Sequence, residues 1–234
     1  MAALQLFGIV AAPVLAIPLG AAVGLWRPPR PQLASVVQHL AAGLLIGAVA
    51  LELLAPVSHG SPWAAVLGVA AGLLVVLILD AVSLKLSGGN ESGGMGLAIV
   101  VGVDLTIDGF LLGVAASEDL RLALLLAVGL LVEDFFTTLS LIISLRQSES
   151  RKKAIWITAA ITAAMSVGVA AGLLAARALG QFGYHVVLAF GAVALLFLII
   201  EELLREAHKV KETPWTTTTL FAGLLGFLLL HMLI

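Results

Sequence analysis

Hydrophobic positions along this chain do not alternate with polar ones at a helical or strand period. They come in long runs, each about 20 residues, the length a helix needs to cross the hydrocarbon core of a bilayer. Eight runs are predicted as spans, near 3–25, 33–55, 62–82, 95–116, 121–145, 154–177, 182–204 and 215–234. The breaks are chemically plain. Arg27-Pro28-Pro29-Arg30-Pro31 cannot be helix interior, because three prolines remove donors and clash with the preceding turn. Ser87 to Gly94 reads as a flexible Gly/Ser linker, and Arg146–Lys153 and Arg205–Pro214 as charged connections. Ser117-Glu118-Asp119 is the tightest break, a short acidic turn between the fourth and fifth spans. The expected fold is an all-α integral membrane bundle of eight transmembrane helices, one domain over residues 1–234.

Composition sharpens this picture. With 61% hydrophobic and 11% charged residues, the surface has too little charge for water, so lipid is the expected solvent. The absence of cysteine excludes disulfides, thiolate metal sites and a cysteine nucleophile. A net charge of −2 without a basic stripe argues against a nucleic-acid partner. The first apolar run lacks a basic leader and reads as a span, not a cleavable signal. Lys and Arg are lopsided: ten fall in the loops after spans 1, 3, 5 and 7, and only Arg121 and Arg177 fall on the other side. By the positive-inside bias, both termini are expected outside the cell membrane, extracellular or periplasmic.

The second span ends in Ala50-Leu51-Glu52-Leu53-Leu54 and the seventh in Glu201-Glu202-Leu203-Leu204. These spans run in opposite directions, as an inverted-topology repeat requires.

The chemistry concentrates in spans four and five. Asp104 and Asp108 are four apart and share one helix face. Glu133 and Asp134 lie at mid-span in the fifth, with Thr137, Ser140 and Ser144 following at helical spacing from Glu133. An ionised carboxylate at the bilayer centre costs about 2.5–3.5 kcal/mol, so four cost on the order of 10–14 kcal/mol. Every Lys and Arg lies in a loop or at a span end, so an internal salt bridge is not the compensation. A bound cation, bound protons or water in a polar cavity remain; the plainer alternative is protonated acids that hold helices together by hydrogen bonds. Carboxylate and hydroxyl oxygens are hard donors, suited to Mn²⁺, Mg²⁺, Ca²⁺ or Fe²⁺, and Zn²⁺ also accepts them.

Other polar residues read more plainly. Glu52, Asp80, Glu201 and Glu202 sit near span ends, where acids are interfacial or line a vestibule. His39, His59, His185 and His208 are scattered near membrane surfaces, and His231 lies toward the end of the last span. Thr158, Thr162 and Ser166 form a polar face of the packing kind, and Gly43/Gly47 and Gly68/Gly72 are small-residue packing faces.

In these features the chain resembles the ZIP (Zrt/Irt-like) family of divalent metal transporters, over nearly its whole length. The family's fourth span carries His-Asn-x-Pro-Glu/Asp-Gly, where this chain has Asp104-Leu105-Thr106-Ile107-Asp108-Gly109, followed by Gly113. The fifth carries His-Glu-x-Pro-His/Glu, where this chain has Glu133-Asp134-Phe135-Phe136-Thr137. The resemblance implies a ZIP-like fold with an inverted repeat and a homodimer. It also implies metal ligation by Asp104, Asp108, Glu133 and Asp134, with Thr137 at a further ligand position. Both motif histidines and both prolines are replaced, the prolines by Ile107 and Phe136.

The function expected is transport of divalent metal cations (zinc, manganese or iron, with cadmium also accommodated) by alternating access, with metal ions and protons as partners. One alternative keeps the fold but moves another cation or a proton-coupled substrate; another is a non-transporting sensor. An enzyme is not expected: an intramembrane aspartyl protease would use Asp104 with Asp134, but the chain lacks that class's Gly-x-Gly-Asp element.

Overall fold

A computed structural model describes residues 2–27, 29–86, 94–208, 210 and 214–234. Among them the chain is helical throughout, with eight helices long and apolar enough to cross a membrane. It is an all-α, multi-pass membrane protein. The helices are α1 (Ala2–Trp26), α2 (Pro31–Ala48, continued by Val49–Leu54 and Ala55–Ser58), α3 (Pro62–Leu86), α4 (Gly94–Glu118), α5 (Leu120–Ser148), α6 (Arg151–Ala176), α7 (Gln181–Leu198, continued by Ile199–Leu204 and Arg205–Ala207) and α8 (Pro214–Leu233). With an even number of spans, both termini lie on one face of the bundle. The Ser87–Gly94 linker falls almost wholly outside the described residues, as does part of the Arg205–Pro214 connection.

Local chemistry explains where these helices begin. Pro31, Pro62 and Pro214 open α2, α3 and α8, where the missing N–H costs nothing. Asp119 caps α5, its carboxylate accepting from the Arg121 N–H at 2.9 Å, and Ser150 Oγ accepts from the Lys153 N–H at 3.3 Å to cap α6. Pro13 and Pro18 lie inside α1, which a membrane helix tolerates better than a soluble one.

Two helices depart from α geometry. Val49–Leu54 in α2 and Ile199–Leu204 in α7 are π-helical. These are the Glu-Leu-Leu segments, and they lie toward opposite faces of the membrane. Such π segments widen a helix locally and recur at functional positions.

Small residues set the helix pairing. Glycines 109 and 113 of α4 pack on the backbone carbonyls of Met165 and Val169 in α6, while Gly168 and Gly172 pack on Thr106 and Phe110 in return. A Cβ at any of the four would collide with main chain, so the helices approach as closely as backbone allows. The pairs α1–α5, α2–α8 and α3–α7 use the same device through Gly20, through Gly43 with Gly223, and through Gly68. Of the predicted packing faces, Gly43/Gly47 meets α8 and Gly68/Gly72 meets α7. Thr158, Thr162 and Ser166 instead satisfy themselves, each hydroxyl donating to the carbonyl four residues back at 2.8–2.9 Å.

Two apolar cores result. One joins α1, α4, α5 and α6 through Ile17, Leu105, Leu141 and Met165. The other joins α4 and α5 to α2, α7 and α8 through Leu112, Leu126, Leu45, Leu195 and Phe227. Helix α5 takes part in both and is the most enclosed span, 72% buried over its apolar window against 17% for α8. A polar group at the middle of α5 is therefore shielded from lipid by protein.

Candidate metal centre

Helices α4 and α5 are joined through Asp119 alone, so they run antiparallel as neighbours. Asp104 and Asp108 occupy the eleventh and fifteenth positions of the 25-residue α4. Glu133 is the fourteenth residue of the 29-residue α5. Near-central positions on antiparallel neighbours meet at the same depth. One oxygen each from Asp104, Asp108 and Glu133 lies within 4.8 Å of the other two. Asp108 is 1% exposed and Glu133 0%; Asp104 is half-buried.

Thr137 stands one turn beyond Glu133, and its Oγ1 donates to Glu133 Oε1 at 2.9 Å. That bond fixes one oxygen of the carboxylate. The other, Oε2, is buried and meets no hydrogen-bond donor among the described residues. Asp134 is fully buried beside Glu133, although its oxygens do not meet the 4.8 Å spacing that gathers the other three carboxylates. Both Asp134 oxygens and Thr138 Oγ1, one turn on, are buried and meet no hydrogen-bond donor among the described residues. Ser140 and Ser144 are half-buried.

Three carboxylate oxygens at this spacing repel strongly if all are ionised. At 4.8 Å and an effective dielectric of about 20, each pair costs roughly 3–4 kcal/mol. The basic residues of α5 do not offset this. Arg146 donates to the Gly24 carbonyl at 2.9 Å, and Arg121 donates to the His231 carbonyl at 2.5 Å, both near helix ends. A divalent cation fits the donor chemistry: three carboxylates from two helices, with a hydroxyl orienting one of them.

Known proteins give no assignment. No protein-family model matches the chain, and no curated protein matches it significantly.

Two polar pairs escaped the sequence reading. His39 and His208, which look scattered in sequence, lie with ring centroids 5.4 Å apart at the face opposite the termini. His39 is 1% exposed; its Nδ1 donates to the Ser35 carbonyl at 2.8 Å, and Ser35 Oγ donates to the Ala207 carbonyl at 2.9 Å. At the termini face, His231 Nδ1 donates to Glu52 Oε1 at 2.5 Å, joining α8 to the π segment of α2. No local spacing signals either pair, since their members are far apart in sequence. The side chains of Asp80 and Glu202 lie outside the described residues.

Proposed function

We propose that this protein is a membrane transporter of divalent metal cations, with Asp104, Asp108 and Glu133 as metal ligands and Thr137 positioning Glu133. The observation that carries the reading is the convergence of three carboxylate oxygens within 4.8 Å at mid-membrane depth, with no lysine or arginine in the middle of any span. Three ionised carboxylates cost about 8–11 kcal/mol at the centre of a bilayer. A divalent cation removes most of that cost when bound, and protons remove it when the site is empty. Metal uptake and proton release are therefore linked. The all-oxygen donor set favours the harder cations of the class, manganese and iron, with zinc also accepted.

The helix pairing supports alternating access. Exchanging α1 with α6, α2 with α7, α3 with α8 and α4 with α5 converts the α1–α5 contact into α6–α4 and the α2–α8 contact into α7–α3. It also converts the π segment Val49–Leu54 into Ile199–Leu204. That pattern supports a ZIP-like inverted repeat, in which α4 and α5 would lie on the pseudo-symmetry axis, the position from which a site is reached from either face. On this reading Asp134 is a buried acid beside the site and not a first ligand. The peptide-cleaving alternative would use Asp104 with Asp134, and the chain lacks the Gly-x-Gly-Asp element of that class. The lysine and arginine distribution supports termini outside the cell membrane.

The test is uptake of Mn²⁺, Fe²⁺ and Zn²⁺ by cells or vesicles containing the protein and an Asp108→Asn variant. The reading predicts uptake above background that the variant loses while remaining folded in the membrane. Undiminished uptake by the variant would remove Asp108 from the ligand set.

A further inference from the structure

A cavity of about 610 Å³ opens between α1 and α5 on the half of the bundle nearer the termini. Its walls are apolar, formed by Gly8 and Ala12 of α1 and by Leu124, Val128 and Leu131 of α5. Gly8 faces this opening: it is exposed, and a Cβ there would meet nothing within 4 Å. Polar groups stand at one end only, Gln5 and Arg121, in the first turns of α1 and α5.

The dimensions fit one leaflet. From Arg121 to Leu131 is ten residues of helix, about 15 Å at about 1.5 Å per residue, and a leaflet's hydrocarbon is half of the roughly 30 Å core. The slot begins at headgroup level and ends near the midplane. Water gains nothing from an apolar slot at this depth, whereas a lipid chain fills it without exposing polar groups.

Charge selects the headgroup. Arg121 is exposed and, among the described residues, is the only charged side chain lining the cavity. One of its nitrogens holds the His231 carbonyl. A guanidinium has five N–H donors, so the others can face a phosphate.

We infer that this slot binds an anionic phospholipid from the leaflet on the termini side, one acyl chain lying between α1 and α5 and its headgroup on Arg121. The site is independent of the cation centre, although its floor ends at Leu131, two residues before Glu133. It needs only that the protein sits in a bilayer.

The test is native mass spectrometry of the intact protein in mild detergent. Phosphatidylglycerol and phosphatidylcholine of equal chain length are titrated onto wild type, Arg121→Gln and Gly8→Leu. Wild type should retain one phosphatidylglycerol about fivefold more strongly than phosphatidylcholine, whose choline cation offsets the phosphate, the preference that one exposed ion pair of about 1 kcal/mol supplies. Arg121→Gln should equalise the two lipids, and Gly8→Leu, which fills the slot, should lose both. Equal retention of the two lipids by wild type, or no change in Arg121→Gln, overturns the proposal. A dimer that Gly8→Leu dissociates overturns it too, because a second copy would then occupy the slot. If Gly8→Leu does not fold, Arg121→Gln, altered at an exposed position, still decides.

Discussion

Replacing Asp108 with asparagine should stabilise the metal-free protein and remove its response to metal, two effects of opposite sign from one atom. Asp108 contributes an oxygen to a group of three that lies within 4.8 Å. Its neutralisation relieves two of the three pairwise repulsions, nominally about 3–4 kcal/mol each. Proton uptake caps the gain: protonating a carboxyl of ordinary pKa near 4 at pH 7 costs about 4 kcal/mol, and the site never bears more strain than that from one ionised group. Asp108→Asn is therefore expected to gain up to about 4 kcal/mol without metal, less whatever the amide loses in hydrogen bonding. With metal at one hundred times its dissociation constant, wild type gains about 2.7 kcal/mol; a variant binding a hundredfold more weakly gains only about 0.4. For a chain of this size about 1 kcal/mol corresponds to about 2–4 °C. The wild-type midpoint should thus rise by roughly 5–11 °C with metal and the variant's by at most about 2 °C. The assay is thermal unfolding in detergent with chelator and then with Mn²⁺, Fe²⁺ or Zn²⁺. A variant that shifts as far as wild type with metal, or that unfolds earlier than wild type in chelator, refutes the reasoning.

Further outcomes follow from the same geometry. Asp134→Asn should keep more of the metal-induced shift than Asp108→Asn, because the oxygens gathered within 4.8 Å are those of Asp104, Asp108 and Glu133; equal loss in both variants would make Asp134 a ligand. Thr137→Val removes the 2.9 Å bond that orients Glu133 and should weaken metal affinity about 10–100-fold, as loss of an outer-shell partner does; equilibrium dialysis against Mn²⁺ measures it. Gly168→Ala puts a methyl into the Thr106 carbonyl and should destabilise by about 1–3 kcal/mol, whereas Gly8→Ala, facing open space, should leave the unfolding midpoint unchanged. His231→Ala leaves Glu52 without its donor and should cost about 1–3 kcal/mol, seen as earlier unfolding that a Glu52→Gln background largely cancels.

The eight spans were legible because a helix in lipid must be apolar all round for about 20 residues, a signal that needs no knowledge of neighbours. Asp104, Asp108 and Glu133 were legible for the complementary reason: an acid in mid-span is costly enough to need a purpose. Thr137 followed from helical spacing alone. Glu133 and Asp134 are adjacent acids that helical spacing alone does not rank, and both are fully buried. The His39–His208 and Glu52–His231 pairs were invisible for a related reason, since the pairing of α2 with α7 and α8 creates them and the chain between carries no trace of it. The Glu-Leu-Leu segments stand out in sequence, but nothing in residue periodicity shows that their backbones are π-helical. Thr158 and its partners look like contacts between helices in sequence and are spent within their own helix.

Flux through the purified protein bears most directly on the central claim. Proteoliposomes loaded with a metal-sensitive dye should report Mn²⁺, Fe²⁺ or Zn²⁺ entry above that of empty liposomes, and entry should fall to background with Asp104→Asn and Asp108→Asn. Entry that both variants leave unchanged, or metal binding without any entry, would contradict the account of this site as the path of a transported cation.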